Sequence, residues 1–315
     1  MKIIFFLLMY LIASTGFAAN KDDKSQAITI ALNDWASQIV LSYVVGNILS
    51  KQGYQVLYRH ISVAQQWGAL RLGQIDLQIE VWEGSMAKDF KRMIENGAIV
   101  DAGIHDAKTR EEWWYPEYVA DYCPGLPDWR VLNKCVHLFT MEHSGNKGVY
   151  ISGPWDRQEG KRIRALKLNF LLKRIGGEAI KPTILLAIKK KTPLLVFNWT
   201  PNWVENRIKG SFVEFPVYEP ECITNPKWGP NPMKTMDCGN PVNGWLKKAV
   251  STNVQNIWPC AYKFIRNINF NNEMISEAAA LYEYDRLSYN NAAVRWQVKY
   301  KDIWIVWFPK ECYGS

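Results

Sequence analysis

Beyond its first twenty residues this 315-residue chain has no long apolar run, so no later segment is expected to cross a bilayer. Histidine is scarce, with only His60, His105, His137 and His143, and the six-residue spacing of the last two is a poor one for a metal. The GxSxG, HExxH, GxxxxGK[ST] and GxGxxG patterns are all missing, which leaves hydrolase, zinc-protease, P-loop and dinucleotide chemistry without support. There are no repeats and no low-complexity tracts. No enzyme activity, cofactor or metal is therefore expected. The net charge of +8 is scattered, and the local runs Lys161–Arg164 and Lys189–Lys191 read as solvated faces. No nucleic-acid-binding motif accompanies them, so no nucleic-acid partner is expected.

What is present begins with MKIIFFLLMYLIASTGFAAN. Lys2, the apolar stretch Ile3 to Ile12, and the small residues Gly16 and Ala18 make a secretory signal over residues 1–18, with cleavage near Ala18. The apolar stretch is too short for a membrane anchor. The expected product is exported, soluble and periplasmic. Six cysteines in an exported chain suggest disulfides, and six allow 15 pairings. The simplest is sequential: Cys123–Cys135 and Cys222–Cys238, each closing a Pro/Gly-rich loop, and Cys260–Cys312, tying the C-terminus to a helix.

Short apolar strands alternate with amphipathic segments. AITIAL, QVLYRH and IDLQIEV read as strands. Ser37 to Gln52, Val63 to Leu72 and Ser85 to Asn96 read as helices, stopped by Gly53, Gly73 and Gly97. This alternation predicts an α/β sheet with parallel strands. After His105 the segment EEWWYPEYVADYCPGLPDW is aromatic and reads as irregular. Lys147 to Ser152 reads as a strand, Arg162 to Lys173 and Pro182 to Lys190 as helices, and LLVFN as a strand. Phe215 to Gly244 is rich in Pro, Gly and Asn, and helices are expected over Asn271 to Tyr284 and Ser288 to Tyr300. The organisation predicted is a first lobe over residues 19–110, a second over 111–212, and a return to the first over 213–315, with a hinge and a ligand cleft between the lobes.

Four tryptophans stand at the ends of these strands. Trp35 follows ITIALND, Trp82 follows IDLQIEV, Trp155 follows GVYISGP, and Trp199 follows LLVFN. At strand ends of an α/β sheet a side chain points into the crevice where ligands bind. Four indole faces around one crevice would cage a methylated cation by cation–π attraction and apolar contact. Asp34 is expected to cap the helix that follows it. The sequon Asn198-Trp199-Thr200 falls in a strand and binding turn and reads as chance. A different reading of the same tryptophans is an exported carbohydrate-active enzyme using them as sugar platforms, with two carboxylates across the cleft.

The segments NDWASQIVLSYVVGNIL, DLQIEVWEGS, WWYPEYV, SGPWD and FNWTPNWV occur in an order that resembles the periplasmic substrate-binding proteins of glycine betaine/choline-type ABC importers. The loops CPGLPDW and NPKWGPNPMKTMDCGNP are most similar to the trimethylamine N-oxide-binding branch. The resemblance implies a two-lobed periplasmic-binding-protein fold, type II-like, and a monomer docking on an ABC permease. Its small ligand would be glycine betaine, choline or trimethylamine N-oxide. It implies cage walls at Trp35 and Trp82 from lobe one and at Trp155 and Trp199 from lobe two. It also implies an acidic ligand contact at Glu117. In relatives of that branch the matching loop binds calcium, which carbonyls and Asp237 could do here, but Lys234 adds unfavourable charge and no metal is expected.

Overall fold

A computed structural model describes residues 22–155, 159–204 and 207–312. The expected signal segment lies outside them. In chain order the elements are β1 (Ile28–Leu32), α1 (Ala36–Lys51), β2 (Val56–His60), α2 (Val63–Arg71), β3 (Leu77–Trp82), α3 (Glu83–Glu95), β4 (Val100–Pro116) and the short α4 (Val119–Tyr122). Then come β5 (Gly148–Ser152), α5 (Glu159–Ala165), β6 (Phe170–Arg174), α6 (Gly177–Lys190), β7 (Leu195–Thr200), β8 (Gly210–Phe212) and α7 (Glu221–Thr224). The chain continues with β9 (Gly244–Val250), α8 (Val254–Ile257), α9 (Pro259–Asn267), α10 (Asn272–Glu283), α11 (Tyr289–Lys299) and α12 (Lys301–Trp304).

The strands run in the order β2-β1-β3-β9-β4-β7-β5-β6, with β8 beside β4. β1 pairs parallel with β2 and β3, and β5 pairs parallel with β6 and β7. Helices pack on both parallel clusters, and β1 and β5 accordingly read as apolar runs without alternation, while β3 is buried throughout although Gln78 and Glu80 interrupt its apolar residues. α1 is buried on most of its surface because α10 and α11 pack across it from the C-terminal segment. The glycine stops are real: Gly53, Gly73 and Gly97 take positive φ, the conformation that lets the chain leave a helix without a Cβ clash.

β4 joins the two lobes. Its first part, Val100 to Thr109, pairs with β9; from Arg110 to Trp114 it pairs with β7, and from Trp114 to Pro116 with β8. The segment read from sequence as irregular is thus regular strand as far as Pro116. Its aromatic half has no polar alternation because both faces are buried: Trp113, Trp114 and Tyr115 are at most 2% exposed. The Val213 and Glu214 amides donate to the Trp113 and Pro127 carbonyls, and Asn231 Nδ2 donates to the Ala165 carbonyl, so the Pro/Gly-rich loop is tied to β4 at its start and to α5 further on. The chain crosses at Asn240, whose amide donates to Glu112 Oε2 (2.9 Å) and whose Oδ1 accepts from Arg162 Nη2 (3.0 Å). The buried Arg162–Glu112 ion pair (2.5 Å) stands directly behind this crossing.

One expected helix is a strand. KLNFLLKR was read with the helix beginning at Arg162, but α5 ends at Ala165, Lys167 turns in the left-handed region, and β6 pairs in register with β5 from Gly148↔Phe170 to Ser152↔Arg174. The disulfides are Cys123–Cys135, Cys222–Cys238 and Cys260–Cys312, the sequential pairing. Among the described residues no helix is long and apolar enough to cross a membrane.

Candidate functional site

Trp35 is the residue just before α1 and holds an extended conformation. Trp82 ends β3, Trp155 lies three residues past β5, and Trp199 is the penultimate residue of β7. Two of the four are therefore strand residues and not turn residues, yet all four converge. The Trp155 ring meets Trp35 edge-on (6.3 Å between centroids, 84°), and meets Trp199 likewise (5.4 Å, 77°). Phe197 packs between Trp155 and Trp199, at 5.9 and 5.8 Å. Trp35, Trp82, Trp155 and Trp199 share one small cavity with Phe197, Met86, Ser85 and Glu111. Its volume of 20 Å³ accommodates about one water molecule, so the walls stand closer than a trimethylammonium group requires.

The lobe-one walls are fixed from behind. Glu80, in the middle of β3, is fully buried, and its Oε2 accepts from Trp35 Nε1 (2.6 Å), Trp82 Nε1 (3.1 Å) and Ser37 Oγ (3.2 Å). Burial pushes its carboxyl up to about 7, against the lowering effect of these three bonds. Its other oxygen, Oε1, has no hydrogen-bond partner among the described residues.

The lobe-two walls are fixed by contact with lobe one. Trp155 Nε1 donates to Asp34 Oδ1 at 2.5 Å. Asp34 therefore does not cap α1; the first turn has no side-chain cap at all, and the carboxylate faces across the cleft. Gly177, at the start of α6, lies where the lobes meet: a Cβ there would stand 2.6 Å from the Trp155 ring and 3.1 Å from Asp34. A second cross-lobe link is the ion pair Lys181–Glu283 (2.5 Å), joining α6 to α10. Beside the cage a larger cavity of 440 Å³ shares Trp35, Trp155 and Trp199 and adds Trp203, Lys181 and Tyr282.

Glu117 is not among these residues. It is exposed just beyond the end of β4, and lines a separate surface pocket with Tyr118, Lys191 and Arg207. Because β4 continues straight to Pro116, residue 117 is carried about 20 Å along the strand from residue 111. The acidic residues brought to the cage are Glu111 on its wall and Glu80 behind it. Sequence reasoning missed both, although a carboxylate inside the apolar strand IDLQIEV is itself a signal, since a buried charge is retained at a cost. Asp237 is buried and accepts from the Asn231 amide at 2.6 Å, and among the described residues no group of three His, Cys, Asp or Glu side chains is placed to hold a metal. Asn198 of the sequon is buried in β7, and its Oδ1 accepts from Asn202 Nδ2.

Residues 26–299 match the family described as the substrate binding domain of ABC-type glycine betaine transport systems. A trimethylamine N-oxide-binding protein from Pelagibacter ubique (strain HTCC1062) is 33% identical, over 96% of this chain and 98% of the relative. Among solved structures, the glycine betaine/L-proline-binding protein from Borrelia burgdorferi superposes with a TM-score of 0.72 at 17% identity, covering 91% of this chain and 98% of the other. An ABC-transporter choline-binding protein in complex with choline superposes with a TM-score of 0.70 at 16% identity, covering 89% and 91%.

Proposed function

The chain belongs to the family of substrate-binding domains of ABC-type glycine betaine transport systems, and we propose that its four converging tryptophans are the walls that capture the ligand. It is a solute-binding protein of an ABC importer for small methylated ammonium compounds, not an enzyme; neither the family nor the neighbours support a carbohydrate-active alternative.

The observation that carries the cage reading is the convergence of Trp35 and Trp82 from one lobe with Trp155 and Trp199 from the other on a single cavity. A trimethylammonium group is weakly hydrated and has no N–H to donate. Electron-rich ring faces recognise it, each desolvated contact contributing on the order of 1–2 kcal/mol. Four walls reach micromolar affinity, roughly −8 kcal/mol. With walls on both lobes, binding is coupled to lobe closure. The 33% identical relative favours trimethylamine N-oxide as the ligand, with glycine betaine and choline as the nearest alternatives. Glu111 takes the place expected of Glu117 as the acidic residue facing the ligand. The protein acts as a monomer in the periplasm after loss of residues 1–18, and hands its ligand to a membrane permease.

Calorimetric titration of the mature protein with trimethylamine N-oxide, glycine betaine, choline and a panel of neutral sugars tests this reading. Saturable micromolar binding of a methylated amine, with no heat from the sugars, supports it. Binding of sugars alone overturns it.

A further inference from the structure

The two lobe-one walls are held by one side chain that does not itself line the cavity. Trp35 comes from the β1–α1 connection and Trp82 from the end of β3, and both direct their indole N–H to the same oxygen of Glu80. Ser37 on α1 bonds that oxygen as well, and the Glu80 amide donates to Gln78 Oε1 on its own strand. Among the described residues no cation is bonded to the carboxylate. The polar side chains bonded to it are neutral, and among the described residues no lysine or arginine lines the cage. Lys248, the buried cation of the sheet on β9, directs its Nζ to the Ile104 and Ile268 carbonyls. Of the other titratable groups, Glu111 on β4 lines the cage, and Asp34, Glu178, Lys181, Glu283 and Arg286 line the neighbouring cavity, where Lys181 is paired with Glu283.

A buried carboxylate without a counter-cation is costly, and one set directly behind two aromatic walls is compensated by positive charge in front of them. Hydrogen bonds from both indoles to an anion fix the ring planes and enrich their faces in electron density. On the reading that the cage binds a methylated ammonium group, we propose that Glu80 is the positioning residue of the cage and that its ionisation sets the affinity for that group, most strongly for a ligand with net positive charge. Glu80 acts through Trp35 and Trp82. Protonated, it loses the charge that polarises the indoles; ionised, it is neutralised by the bound cation.

The direction with pH follows. A bound cation favours ionised Glu80, so binding releases a proton wherever the free protein holds one, and affinity falls as the solution is acidified. If the cation lowers the Glu80 pKa by about one unit, the dissociation constant for choline rises roughly sevenfold between pH 8 and pH 5.5. Trimethylamine N-oxide and glycine betaine, with no net charge, show a smaller rise.

The experiment is titration of wild type, Glu80→Gln, Glu80→Asp and Glu117→Gln with choline and trimethylamine N-oxide at pH 5.5, 7 and 8, with tryptophan emission recorded throughout. The expected result is a pH-dependent choline affinity in wild type that is flat in Glu80→Gln, is retained in Glu117→Gln, whose carboxylate lines a separate surface pocket, and is partly restored in Glu80→Asp. The indole emission of the ligand-free protein should shift in Glu80→Gln. A Glu80→Gln variant that binds choline with wild-type affinity and wild-type pH dependence overturns the inference while leaving the cage intact. Wild-type protein that binds neither amine at any pH overturns the cage itself.

Discussion

Trp155 on the second lobe donates its indole N–H to Asp34 on the first, 2.5 Å away. This bond makes one wall of the cage depend on the position of the opposite lobe. It also explains why the helix behind Asp34 begins without a side-chain cap: the carboxylate is turned toward the cleft. On the cage reading proposed above, closure positions a ligand-facing ring as well as excluding water.

Removing that bond should loosen the closed state without unfolding either lobe. Asp34→Ala is expected to weaken methylated-amine binding by roughly 1 kcal/mol, about fivefold, since the acceptor is partly solvated. Its melting temperature in the absence of ligand should stay within about 2 °C of wild type. Calorimetry and thermal denaturation check the two together.

The walls themselves should cost more. Trp82→Ala and Trp199→Ala are each expected to reduce affinity by on the order of 1–2 kcal/mol, roughly five- to thirtyfold. Trp129, outside the cage and beside Arg130, serves as the control, and Trp129→Ala should bind as wild type. Equal losses in all three variants would point to a general loss of folding.

Glu80 leaves a mark on stability that is independent of any ligand. Its folded pKa of about 7 lies above the ordinary carboxylate value, so between about pH 4.5 and 7 the folded state binds more protons than the unfolded one. The contribution of this group to stability therefore falls as pH rises through that window and levels off above it. Glu80→Gln removes the penalty, so above pH 7 the ligand-free variant should be the more stable of the two, by on the order of 3 kcal/mol at most. Near pH 4.5 the difference should vanish. Denaturant unfolding at both pH values reads it.

The Cys222–Cys238 bond closes a loop that is tied to α5 through Asn231 and the Ala165 carbonyl. Replacing both cysteines by alanine should lower stability by about 3 kcal/mol, the chain-entropy value for a loop of this length. The cage is separate from this loop, so ligand affinity measured well below the melting temperature should change little.

Much of this arrangement is legible in the sequence, for identifiable reasons. Trp35, Trp82, Trp155 and Trp199 each follow a run of apolar strand residues, and a sheet with parallel strands delivers such ends to one crevice. The helices ending at Gly53, Gly73 and Gly97 carry their stop signal locally. Glu117 could not be placed because the path of β4 depends on its partners: only pairing with β7 and β8 shows that EEWWYP is a straight strand. β6 was lost to helix for the same reason, since KLNFLLKR has no clear period and is fixed by its register with β5. The Asp34–Trp155 bond joins residues 121 positions apart, and nothing local to either announces it.

The most direct test of the account is a crystal structure of the mature protein with bound trimethylamine N-oxide or choline. The account predicts the methylated nitrogen between the lobes, within about 6 Å of the ring centroids of Trp35, Trp82, Trp155 and Trp199. The walls should be spread relative to the 6.3 Å separation of Trp35 and Trp155. A ligand seated only in the neighbouring cavity beside Lys181 and Tyr282, with the four indoles still in mutual contact, would contradict it.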